Sequence, residues 1–286
     1  MALPKKPYLK PIKQLLQKQL EKKKFSISSD SLALVLSGGG ARGAYQIGVW
    51  KAMEEKGIMP KVKQIFGTSV GAINGAAIVQ GDLEMTEELW RQLDYSKVFS
   101  DFDSIVSSAE YKPRAIYRTI VKLFRDKGLN VEPLKELLHE FLDEDRIRKS
   151  PIDFGLVVFE LDSFKRRYLR KADIPKGELV DYIIGSATFP IFKAHYVEGR
   201  RFIDGGISDN RPFSFLKDEP NIGQAICIDL TTARHFYLKD AGQENMEVNY
   251  IKASKLLGSP LAFDLKKIER NMELGYQDFH RYCSDV

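Results

Sequence analysis

Apolar residues run without a break through Leu32-Ala33-Leu34-Val35-Leu36, the length and character of a parallel strand buried on both faces. The run ends in Ser37-Gly38-Gly39-Gly40-Ala41-Arg42-Gly43, and Tyr45, Ile47, Val49, Trp50 and Met53 then fall at the apolar positions of a helix. A second strand, glycine turn and helix follow. Val62, Ile65 and Phe66 predict the strand, Gly67 and Gly71 bracket the turn, and residues 72–78 supply the helix. From residue 82 to about residue 150 helical spacing dominates, as in Ile116, Ile120, Leu123 and Phe124, and in Leu134, Leu137, Leu138 and Phe141. This segment reads as a helical insertion, serving either as outer-layer packing or as a cap. Strand character returns at residues 154–159 and 167–169, followed by a helix over 179–184 that Pro190 should stop. A hairpin is predicted over 194–197 and 201–203, then a buried strand over 224–230 and a helical C-terminal third. Strands alternating with helices define an α/β protein.

Composition narrows this picture only a little. With 286 residues and no Pro/Gly/Ser-rich linker, one large domain with insertions is expected, with 43% hydrophobic and 29% charged residues typical of globular chains. No apolar run is long enough for a transmembrane helix. Two cysteines, Cys227 and Cys283, make no disulfide framework and no zinc-ligand spacing, so a reducing, cytoplasmic setting is expected.

Charge changes the picture more. The total is +5, yet residues 1–24 hold eight lysines against one glutamate, a balance of +7 that leaves −2 for the remainder. The division predicted is a basic arm over residues 1–30 and a domain over 31–286. In the arm Ile12, Leu15, Leu16 and Leu20 share one helical face, which predicts a short basic amphipathic helix. Such a helix could dock on the protein itself or lie peripherally on an anionic membrane. Basic charge confined to an arm without a recognition motif argues against a nucleic-acid partner, and the arm has no secretory-signal pattern.

Three stretches carry chemistry. Gly67-Thr68-Ser69-Val70-Gly71 is a G-x-S-x-G pentapeptide between a strand and a helix, the setting of a nucleophile elbow. Glycines at 67 and 71 spare the turn two side-chain collisions, and Ser69 would sit at the positive end of the following helix dipole. The bland alternative is a serine that merely caps that helix. The earlier loop, Gly38 to Gly43, lies where backbone N–H groups can face an anion. A dinucleotide site would need an acidic residue about 20 positions on, which is absent. A phosphate-binding P-loop would need Lys and Ser or Thr where Ala44 and Tyr45 stand. An oxyanion hole remains. Finally, Asp204-Gly205-Gly206 ends a predicted strand, either as a simple turn or as a general base presented to a site.

In this order the glycine loop, the serine pentapeptide, Ser186-Ala187 through Pro190 and the Asp-Gly-Gly turn resemble the patatin-like phospholipase family, over residues of about 32 to 212. The resemblance implies a three-layer α/β/α fold with a mostly parallel central sheet. It also implies a catalytic dyad, Ser69 and Asp204, with an oxyanion hole over Gly38, Gly39, Gly40, Arg42 and Gly43. The amides around Gly39 and Gly40 would hold the oxyanion and Arg42 would brace the loop, with no cofactor or metal. The implied activity is that of a lipid acyl hydrolase of phospholipase A or lysophospholipase type, working through an acyl-enzyme on a lipid substrate. A Ser-Asp-His hydrolase would instead recruit His235 or His280. An acyltransferase could use the same serine, and a lipid-surface binding protein would keep the fold without chemistry.

Overall fold

The computed structural model describes residues 24–98, 131–189, 192–217, 219–231 and 246–283. Leu32–Leu36 (β1) is buried at every position and lies near the centre of the sheet. Parallel to it on one side runs Val62–Thr68 (β2) and then Asp153–Glu160 (β3); on the other run Gln224–Asp229 (β7) and Glu247–Lys252 (β8). This parallel core is extended by Lys165–Arg170 (β4) and Arg200–Asp204 (β6), each antiparallel to β3, and by His195–Val197 (β5), antiparallel to β6. The eight strands follow the order β5-β6-β3-β2-β1-β7-β8, with β4 pairing on β3.

Each face of β1 has its own packing layer. Leu32, Leu34 and Leu36 join Ile65, Phe154, Leu156 and Ile226 under the helices. These are Ala44–Glu55 (α1), Val70–Gln80 (α2), Leu83–Gln92 (α3), Tyr95–Val98 (α4), Glu132–Phe141 (α5), Glu144–Lys149 (α6), Leu179–Ala187 (α7) and Leu265–Tyr282 (α8). Ala33, Val35, Ala225 and Cys227 face the opposite way and pack against Phe213, Phe215 and Leu216 of a short 3-10 turn. The α/β/α arrangement therefore has a thick helical layer and, among the described residues, a thinner one.

Two findings differ from the sequence pattern. The C-terminal third is not all helical, because β8 adds a parallel strand beside β7 before α8 begins. Its alternation is weak: Val248 and Tyr250 pack on one face while only Ile251 is fully buried on the other. The packed domain also begins before residue 31. Phe25 is buried, stacks edge-on against Phe279 and donates its N–H to Tyr282 O at 2.9 Å, forming a parallel bridge with Cys283. The amphipathic segment around Ile12 to Leu20, the helical pattern at Ile116 to Phe124, His235 and Pro190 lie outside the described residues. No helix among the described residues is long and apolar enough to cross a membrane.

Candidate active site

Leu36 pairs with Gly67 across β1 and β2, so the glycine loop and the serine turn leave the sheet side by side at its C-terminal edge. In open α/β sheets this edge is where ligands bind. Ser69 adopts φ 59° and ψ −130°, a region rarely populated by residues other than glycine, directly before α2. Local packing imposes it. A Cβ on Gly67 would come within 2.2 Å of Gly71 O, and one on Gly71 within 2.2 Å of Leu36 O, so only glycine lets the turn close. The Ser69 N–H, turned away from the helix, donates to Ser186 Oγ at 3.0 Å, and that hydroxyl donates in turn to Val157 O at 2.7 Å.

Asp204 ends β6, paired with Val158 of β3. Its N–H donates to Thr188 O at 2.7 Å, and its Oδ1 accepts the Gly206 N–H at 2.6 Å. The C-terminal end of α7 therefore holds both residues: Ser186, in its last turn, fixes the serine and Thr188, its cap, the aspartate. Burial pushes the Asp204 pKa up to about 6, against the opposing effect of hydrogen bonding from the Ser69 side chain and the Gly206 N–H. At neutral pH the carboxylate is mainly ionised, yet far more basic than an exposed aspartate.

The glycine loop meets this pair from the other side. Gly38 donates its N–H to Asn210 Oδ1 at 3.0 Å and accepts from Asn210 Nδ2 at 3.4 Å. That N–H is thereby engaged. The N–H groups of Gly39 and Gly40 have no partner among the described residues, whereas Ala41 and Arg42 donate theirs to Pro260 O and Gly39 O. Arg42 braces the loop from outside, its Nε donating to Gly258 O at 2.8 Å and its Nη1 to Leu230 O at 3.5 Å. Gly43 packs so tightly that a Cβ there would meet Val70 at 2.4 Å. Beneath the loop runs a buried polar chain: Trp90 Nε1 donates to Asn74 Oδ1, Asn74 Nδ2 to Gln46 Oε1 and Gly43 O, and Gln46 Nε2 to Ser37 O.

Above these groups opens a cavity of about 720 Å³ that Ser69, Asp204, Gly39 and Gly40 line together. Its walls are apolar, with Leu89 and Trp90 from α3, Leu93 just after it, Leu134 and Leu137 from α5, and Phe189 beyond α7. The predicted helical insertion thus supplies much of the wall. No histidine among the described residues lines it. His195 is buried with Nε2 3.0 Å from Asp181 Oδ1, and burial lowers its pKa. His139 and His280 stand near Asp181 and Glu55.

The spacing within each motif points to Ser69, Asp204 and the glycines. Asn210 carries no such signal, since its partner Gly38 lies 172 positions away. Nor do Asn74 and Gln46, which read in sequence as ordinary polar positions of helices.

A mostly parallel sheet, a serine in a strand-to-helix turn and a neighbouring glycine loop at the same edge define an α/β protein with an apolar cavity at that edge. The family model described as patatin-like phospholipase matches residues 34–217, more than half of the chain, and the chain belongs to that family. An uncharacterised NTE family protein of Mycobacterium tuberculosis is 27% identical over 188 residues, 65% of this chain and 46% of that protein. A lysophospholipase, nte1, of Aspergillus terreus is 61% identical over 46 residues, 16% of this chain and 3% of that protein. The chain thus spans about half the length of the mycobacterial relative and far less of the fungal one. Among solved structures, VipD of Legionella pneumophila has a similar fold, with a TM-score of 0.52 at 15% identity over 91% of this chain and 69% of that one.

Proposed function

We propose that the chain hydrolyses fatty-acyl esters of lipids, as a phospholipase A or lysophospholipase, with Ser69 as nucleophile and Asp204 as its only base. The observation that carries this reading is the meeting of Ser69, in its elbow, with a buried carboxylate whose pKa is raised to about 6, on the floor of an apolar cavity. The name of the fungal relative supports a lysophospholipid substrate.

In this mechanism Ser69 Oγ attacks the ester carbonyl as its proton passes to Asp204. The carbonyl oxygen takes up negative charge against the Gly39 and Gly40 N–H groups, where each such donor is worth about 2.7–4 kcal/mol. Asp204 returns the proton to the leaving alcohol, and the acyl group stays on Ser69. Water then gives its proton to Asp204 and attacks the acyl carbonyl, and collapse of the second oxyanion releases the fatty acid and reprotonates Ser69. The apolar walls hold the acyl chain and keep bulk water from the carboxylate.

The test is fatty-acid release from a panel of phospholipids, lysophospholipids and neutral lipids, together with labelling by a fluorophosphonate. Both should be lost in Ser69→Ala. Labelling that persists unchanged in that variant would overturn the assignment.

A further inference from the structure

Two hairpins project from the sheet edge that holds the site. In the β3-β4 turn Phe164 is 80% exposed and has φ 52°; in β5 Tyr196 is 64% exposed. A bulky aromatic in the left-handed region is a genuine outlier, since such turns ordinarily take glycine or asparagine. Exposure gives Phe164 little of the burial that would offset the strain; its ring meets that of Phe159 edge-on at a centroid distance of 6.4 Å.

The hairpins are tied to each other and to the cavity mouth. Arg201 of β6 pairs with Asp162 of the β3-β4 turn at 2.7 Å, and Tyr196 lies opposite Arg201 in the register. Arg166 Nη1 donates to Ser208 O at 2.9 Å, beside Ile207. Ile207 and Phe189 line the cavity while remaining 53% and 46% exposed, which places them at its lip.

Charge singles out the same face. Residues 160–167 and 193–201 hold six basic and three acidic side chains, a balance of +3. Since everything after residue 24 sums to −2, the rest of that stretch carries −5. The positive charge therefore lies beside the opening of the apolar cavity.

We propose that the tips of the β3-β4 and β5-β6 hairpins form a docking face for an anionic lipid bilayer, with Phe164 and Tyr196 seated among the headgroups and Lys165, Lys193 and Arg200 beside lipid phosphates. Bilayer surfaces take apolar rings such as that of Phe and amphipathic ones such as that of Tyr into the headgroup boundary, and anionic headgroups attract basic residues. The proposal rests on the lipid-hydrolase reading, because it explains how an acyl chain reaches the cavity. Docking sets the lip residues Ile207 and Phe189 against the bilayer, so that a lipid crosses directly from membrane to protein.

The test uses the full chain carrying Ser69→Ala, so that vesicles stay intact, with and without Phe164→Gly and Tyr196→Ser. Sedimentation with phosphatidylcholine vesicles, containing or lacking phosphatidylglycerol, reads binding. The parent should bind the anionic vesicles, and the added pair of substitutions should weaken that binding roughly tenfold or more. Its Tm should not fall through residue 164, because glycine relieves the strained φ. In the Ser69 background the same pair should leave hydrolysis of a short soluble ester unchanged. Equal binding with and without the pair would overturn the proposal, as would a parent that ignores anionic vesicles, which would mark the face as a protein contact. A chain that binds vesicles through these residues but hydrolyses no ester would retire the hydrolase reading and leave the docking face standing.

Discussion

Asp204 is held where its ionised form is disfavoured, and two measurable effects follow. Its folded pKa of about 6 stands above the ordinary 3.8. Below about pH 3.8 the group is protonated in both folded and unfolded chains, and no penalty applies. As pH rises toward 6 the unfolded chain ionises first and stability is lost; above 6 the loss is complete, at about 3 kcal/mol. Asp204→Asn should therefore raise unfolding free energy above pH 6 by up to that amount, and the gain should vanish near pH 4 in denaturant titrations. The same substitution should lower ester hydrolysis by about 10²–10⁴-fold. In the parent protein, activity should rise with pH through about 6. Because a histidine would titrate in that range too, substitution decides between them. His195→Gln loses the contact to Asp181 and should lower Tm while keeping most of the rate. A several-hundredfold loss in a folded His195, His235 or His280 variant would favour a triad. Ser186→Ala should cost about 1–3 kcal/mol, by leaving the buried Ser69 N–H and Val157 O unpaired, and should lower kcat as the elbow loosens.

At the level of elements, the site is the meeting of two strand-turn-helix units, and most of each was legible in the sequence. Gly67, Ser69 and Gly71 announce their turn because the backbone contacts that exclude a Cβ are local. The buried run of β1 is plain because both of its faces are covered. Contacts that join distant elements leave no such trace. Nothing in the order of residues shows that Asn74 links Trp90 to Gln46, or that Asn210 grips Gly38, because each pairing exists only once the sheet has formed. β8 was missed for a different reason. As an edge strand of the described sheet it is half exposed, and its polar/apolar alternation lasts only from Glu247 to Tyr250 before Ile251 interrupts it, too short a run to stand out. Asn74→Ala would leave Gly43 O, Gln46 Oε1 and Trp90 Nε1 short of a partner in the interior. A loss of about 3 kcal/mol or more in urea unfolding is expected, with ester turnover falling further than the folded fraction does.

At the level of the whole molecule, net charge is partitioned between a basic arm and a slightly acidic remainder. Removing residues 1–24 should weaken vesicle binding at low salt and leave hydrolysis of a small soluble ester intact. Identical sedimentation with anionic vesicles, with and without the arm, would assign those lysines another purpose. The closure of the domain by Phe25 against Tyr282 and Cys283 has a further consequence. The first and last described segments of the chain lie side by side in the packed unit, Phe25 beside Cys283. Such a unit can be spliced into a longer polypeptide as a cassette. It should also tolerate circular permutation: joining residues 25 and 283 with a short glycine-serine link and opening the chain at the exposed turn around Gly177 should give a folded protein that keeps the ester hydrolysis proposed for the parent.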